Sequence, residues 1–159
     1  MMKIINCSFD EALDYTSRET YDLIISFTEP EGNAFLEGAE VFFFKDTSHG
    51  ERGPKADHML LLEEIYNKFT MNSSSKVLIH CFAGVSRSSA ATLMFLIQKN
   101  IVETPIECVR LLFNDINPGA TPNKWMTHWI SERFECPEIL NEIEYQKNTR
   151  FTRNLKHPM

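Results

Sequence analysis

Apolar residues fall into short runs that alternate with helical periodicities along the first two thirds of the chain. Residues 3–7 read as a first strand, and Ser8 with Glu11 three positions later forms a capping-box signature for a helix starting there. Residues 21–27 are β-rich and stop at the turn signal Glu29-Pro30-Glu31-Gly32. Residues 40–45, with Val41-Phe42-Phe43-Phe44, predict a third, buried strand, followed by a loop marked by Gly50, Gly53 and Pro54. Met59, Leu62, Ile65, Tyr66 and Phe69 then recur at helical spacing over residues 55–69. The apolar run Val77-Leu78-Ile79 within 76–80 fits a central parallel strand, and a helix is expected from about 87 to 99. Later segments are helical only. Thr104-Pro105-Ile106-Glu107 and Thr121-Pro122 each look like a cap followed by proline at the first helical position, and Cys136-Pro137 opens a last helix reaching about 147. Residues 149–159 show no core pattern and are expected to be loosely ordered.

Strands alternating with helices early, with helices accumulating late, predict an α/β fold. It is a single domain over 1–159, with a small, mostly parallel central sheet flanked by helices. The length, 159 residues, suits one core. The formal net charge is −6, which argues against nucleic acid as a partner. No apolar stretch approaches the roughly 20 residues of a membrane span, and the start of the chain does not read as a signal peptide. The four cysteines, Cys7, Cys81, Cys108 and Cys136, are widely spaced, so neither a zinc knuckle nor a disulfide framework is indicated. A reducing, cytoplasmic location follows as the expectation, with no membrane and no metal.

The chemistry concentrates in His80-Cys81-Phe82-Ala83-Gly84-Val85-Ser86-Arg87-Ser88. A strand runs into a short loop that opens a helix. In such a loop the backbone N–H groups of residues 82–87 converge on one anion, and the helix N-terminus adds positive potential. Gly84 supplies a backbone conformation closed to other residues. The same field favours the thiolate of Cys81. Arg87, six positions on, offers a planar fork for two oxygens of a phosphate, which lysine lacks. Cys7, Cys108 and Cys136 read as small core residues, although a disulfide from one of them to Cys81 stays open.

This Cys-x5-Arg segment resembles the signature loop of the protein tyrosine phosphatase superfamily, and Ala83-Gly84-Val85-Ser86-Arg87-Ser88 is closest to the dual-specificity phosphatases. The resemblance spans about residues 40–130. It implies a cysteine phosphatase-like fold and two-step hydrolysis of phosphate monoesters through a phosphocysteine on Cys81, without cofactor. It assigns substrate binding to Phe82, Ala83, Gly84, Val85, Ser86 and Arg87, and sulfur departure to Ser88. His80 organises the loop, and an aspartate on a preceding loop is the general acid. Asp46, 35 residues before Cys81 and just after a strand, is the leading candidate, with Asp57, Glu51 and His49 as alternatives. Asn123 reads as a helix cap or as a support of the acid loop. The implied substrate is a phosphoprotein carrying phosphotyrosine, with phosphoserine and phosphothreonine left open. The alternatives are a non-catalytic phosphate-binding module and a phosphatase for lipid or RNA phosphates. Sulfur transfer or arsenate reduction is a remoter one. The uncharged loop residues and acidic chain weigh against lipid and RNA.

Overall fold

A computed structural model of the protein describes residues 2–156. Four strands form its sheet: β1 (Lys3–Cys7), β2 (Leu23–Thr28), β3 (Glu40–Phe43) and β4 (Lys76–His80). The spatial order is β1-β4-β2-β3 and every pairing is parallel. β4 is therefore interior, with Val77, Leu78 and Ile79 fully buried, which accounts for its unbroken apolar run. Register aligns Cys7 with His80 on one side and Ser26 with His80 on the other. β1 and β4 thus end level with one another, at the start of the loop that follows β4, and β2 runs two residues further, to Thr28.

Among the described residues the α-helices are α1 (Phe9–Arg18), α2 (Ala56–Lys68), α3 (Arg87–Gln98), α4 (Pro105–Leu111), α5 (Lys124–Arg133) and α6 (Glu138–Lys156). Side-chain alternation along β4 divides the core. Val77 and Ile79 face a large cluster built from α2, α3 and the later helices, while Leu78 faces a smaller one with Cys7, Ala12 and Leu36. α3 is buried from Arg87 to Ile97 because it runs through the centre of the larger layer. The Ser8–Glu11 capping box forms in both directions, and the Thr104 side chain caps α4.

Two expectations are corrected. Thr121-Pro122 does not cap α5; Asn123 does, its Oδ1 accepting from the Met126 amide at 3.0 Å. The Thr121 amide is committed elsewhere, to Val85 O at 2.7 Å. The last helix does not end near 147. It continues as far as Lys156, and the last three residues of the tail lie outside the described ones. Burial of Ile139 and Ile143 holds its first turns, and the Arg150 guanidinium ties it to Ala120 O (2.6 Å) and Thr121 Oγ1 (3.3 Å). In addition, α4 passes directly into a π-helical segment, Leu112–Ile116, which the periodicity did not predict. Its wider turn re-aims the chain into residues 117–123, which brace the loop after β4.

Candidate active site

The loop of residues 81–86 leaves β4 at the C-terminal end of the sheet, where open α/β sheets place their ligands. Its carbonyls are tied outward. Phe82 O accepts from the Phe9 amide (3.1 Å), Val85 O from Thr121 (2.7 Å) and Ser86 O from Asn123 (3.2 Å). Gly84 O accepts from Asn117 Nδ2 at 2.7 Å. With the carbonyls held away, the amides turn inward. Among the described residues the N–H groups of Phe82, Ala83, Val85 and Ser86 have no partner in the chain, and that of Gly84 donates to Cys81 Sγ at 3.2 Å. Such a set of unpaired donors is an anion cradle held ready by the scaffold.

Gly84 sits at φ +79°, and a Cβ there would lie 2.4 Å from Ser8 N and 2.5 Å from Cys7 C. The loop therefore touches the β1–α1 junction backbone to backbone, an approach that only glycine permits.

Cys81 lies at the base of a cavity of about 390 Å³ lined also by Glu29, Asp46, Phe82, Ala83, Val85, Ser86 and Arg87. Its sulfur is 3.1 Å from Ser88 Oγ. Arg87 is almost wholly buried, and its Nη1 donates to Phe44 O at 2.7 Å. Its Nη2 is 3.4 Å from Glu29 Oε1, and its Nε is buried with no partner. Nε and Nη2 share one edge of the guanidinium, the edge that matches two oxygens of a phosphate. An unpaired buried N–H is costly, and an oxyanion in the cradle would satisfy it.

Asp46 follows β3 and lines the same cavity. Its Oδ1 accepts from Ser86 Oγ (2.6 Å) and from Asn123 Nδ2 (2.9 Å), and Asn123 Nδ2 also reaches Thr47 O at 3.1 Å. Both bonds fall on one carboxylate oxygen, Oδ1. Asn123 thus fills both of its expected roles. Asp57 stands in the first turn of α2, and neither it, Glu51 nor His49 lines the cavity.

His80 is fully buried beneath the loop. Its Nδ1 is 3.2 Å from Cys81 O, which only accepts, so the proton sits on Nδ1. Nε2 then accepts from Ser26 Oγ at 2.6 Å, and Ser26 Oγ accepts from the Leu36 amide at 3.2 Å. Burial is the main force holding the His80 pKa below its ordinary 6.5, with the Arg87 charge adding to it and the bond to Cys81 O opposing. A neutral ring in this tautomer pins the first carbonyl of the loop.

Burial also pushes the Cys7 thiol up to about 12 and those of Cys108 and Cys136 up to about 11. All three behave as the core residues expected of them.

The site holds three residues that sequence reasoning passed over. Glu29 belongs to a turn signal in the sequence, and its place just after a strand end is a usable pointer to the site. Asn6 interrupts the apolar run of β1, and Asn117 follows the π-helical segment; neither position is distinctive without its partners.

No family model matches the chain. Over 68 residues it is 32% identical to the tyrosine-protein phosphatase yvh1 of Schizosaccharomyces pombe, a stretch covering 43% of this chain and 20% of yvh1. The chain thus aligns with about a fifth of that relative. Solved structures match more widely. Human DUSP28 superposes with a TM-score of 0.63 at 13% identity, over 86% of this chain and 94% of its own. DUSP15 does so with 0.64 at 17% identity, over 91% and 90%. OH1 of the Orf virus, a tyrosine phosphatase described as having triple substrate specificity, gives 0.56 at 17% identity, over 84% and 83%. The fold is therefore the one found in dual-specificity and tyrosine phosphatases.

Proposed function

We propose that the protein is a phosphoric monoester hydrolase that acts on phosphotyrosine in protein substrates through a phosphocysteine on Cys81. The observation carrying this reading is the cradle itself: a cysteine sulfur beneath unpaired loop amides, beside a guanidinium edge whose buried Nε lacks a partner. In the first step the Cys81 thiolate attacks phosphorus and the P–O bond to the leaving group breaks. The Asp46 carboxyl gives its proton to the departing oxygen. In the second step water attacks phosphorus, Asp46 takes a proton from it, and the S–P bond breaks with its electron pair returning to sulfur. Arg87 and the loop amides hold the three equatorial oxygens through both steps. No cofactor enters either one, and a reducing compartment such as the cytoplasm keeps the thiol competent.

The cavity's lining supports a monophosphate on an apolar carrier. Phe82 is 66% exposed and Val85 38%, giving the rim aromatic and aliphatic surface. Arg87 is the single cation among the lining residues, whereas Glu29 and Asp46 are acidic. A second phosphate on the same substrate, as on a phosphoinositide or a 5′-triphosphate, would meet carboxylates instead of lysines. Activity on phosphoserine and phosphothreonine is the finer question that the open rim raises.

The test is turnover of p-nitrophenyl phosphate and of a phosphotyrosine peptide by wild type and Cys81→Ser. Wild type should turn over and Cys81→Ser should bind without turnover. Equal inactivity of the two, with phosphopeptide still bound, would instead establish a non-catalytic binding module.

A further inference from the structure

Ser88 touches the sulfur, but a hydroxyl has one proton and several places to put it. What aims it at Cys81 is found two layers away. Asn117 Nδ2 lies 2.7 Å from Gly84 O and 2.8 Å from Asn6 Oδ1. A carbonyl only accepts, so the Asn117 atom at that point is its nitrogen, and the Asn6 atom facing it is an oxygen. The other end of the Asn6 amide is 3.3 Å from Ile79 O, again an acceptor only, and 2.8 Å from Ser88 Oγ. Two main-chain carbonyls, one at each end, thereby fix the direction of the entire chain. Asn117 donates to Asn6, Asn6 donates to Ser88, and the Ser88 proton is left for the sulfur at 3.1 Å. Asn6 is 92% buried, and its bonds to Ile79 O and Ser88 Oγ lie in the protein interior.

We propose that Asn6 is a positioning residue for the second chemical step. Through Asn117, the Asn6 amide is locked so that the Ser88 hydroxyl donates to Sγ as sulfur leaves phosphorus. The proposal rests on the phosphatase reading of Cys81. In the resting enzyme the bond steadies the thiolate. Its larger effect comes when the S–P bond breaks and the electron pair returns to sulfur, because a pre-aimed hydrogen bond then stabilises the developing charge. Without Asn6 the hydroxyl is free to donate to a carbonyl of its own helix, and that help is lost. The π-helical turn before Asn117 serves the same end, since it carries the chain to where one side chain spans Gly84 and Asn6.

The experiment is a double-mutant cycle of Asn6→Ala and Ser88→Ala with p-nitrophenyl phosphate, read by rapid-quench kinetics. A hydrogen bond to a charged group supports an expected loss of about tenfold to hundredfold in kcat for Asn6→Ala. KM should fall with it and kcat/KM should change little, because phosphocysteine accumulates. That accumulation appears as a burst of p-nitrophenol approaching one equivalent per enzyme. In the Ser88→Ala background, Asn6→Ala should cost no more than about twofold further, since coupled residues are not additive. Equal losses in both backgrounds, or a normal kcat without a burst, would overturn the proposal. If Asn6→Ala does not fold, Asn117→Ala, on a half-buried residue outside the sheet, takes its place in the cycle under the same criteria. An inactive wild type would instead refute the phosphatase reading.

Discussion

Replacing Gly84 by alanine perturbs the site at its most constrained point. Two costs add there. The first is conformational: at φ +79° a side chain costs about 1–2 kcal/mol. The second is steric. The new Cβ would stand 2.4 Å from Ser8 N, 2.5 Å from Cys7 C and 2.8 Å from Cys7 O, all main-chain atoms of the β1–α1 junction that no rotamer change can move. Overpacking of this kind costs about 1–3 kcal/mol. Alanine also restricts the unfolded chain, which returns about 0.4–1 kcal/mol. The net is about 3 kcal/mol, or a fall in Tm of about 6–12 °C for a chain of this size. Gly38 is the control, since it has φ +81° but nothing within 4 Å of its would-be Cβ. Gly38→Ala carries the conformational cost without the clash and should lower Tm by only about 2–4 °C. Activity should separate the two further, because relief of the clash moves the Gly84 amide off Cys81 Sγ. Loss of one such donor supports a drop of about a hundredfold in kcat/KM. Thermal unfolding by circular dichroism and steady-state kinetics read both. If Gly84→Ala melts within about 2 °C of Gly38→Ala and keeps its kcat/KM within about threefold, the packing argument for the loop is wrong.

Other outcomes follow from the same geometry. Arg87→Lys keeps the charge but loses the two-pronged edge and the bond to Phe44 O, so kcat/KM should fall by about a hundredfold or more; near-normal kinetics would remove the clamp. Asp46→Asn should slow substrates with basic leaving groups, such as phenyl phosphate, far more than p-nitrophenyl phosphate, by about 10²–10⁴-fold. Asn123→Ala should shift in the same direction by less, because it frees the Asp46 loop. Burial lowers the His80 pKa in the folded state, so the unfolded chain takes up its proton first as pH falls. The stability this contributes is complete above 6.5 and is lost as pH drops through the folded value. Urea unfolding at about pH 7.5 and about pH 5.5 should show that loss in wild type. The part remaining in His80→Gln then reports His58, whose pKa burial also lowers.

What the sequence determined by itself is what neighbouring residues settle among themselves. Residues 76–89 form strand, loop and helix in one continuous piece, so the spacing of Cys81, Gly84, Arg87 and Ser88 carries the cradle's geometry with it. The Ser8–Glu11 box and the Thr104 cap are local in the same sense, and so is the buried run of β4, legible because a strand covered on both faces has no polar side. The tertiary structure decided everything that depends on chain segments meeting. Asp46 lines the cavity and Asp57 does not, because the chain just after β3 borders it and the start of α2 does not, a difference that spacing from Cys81 leaves undecided. Glu29 joined the site because β2 lies beside β4, although about 50 residues separate them along the chain. Asn6 and Asn117 lie 111 positions apart. Nothing in either residue's neighbourhood encodes the other, and their hydrogen bond exists only because β1 pairs with β4 and a π-helical turn swings the chain back across the sheet's end. Helix α6 outran its sequence pattern for the same reason: Arg150 found carbonyl and hydroxyl partners on a segment that local periodicity could not foresee.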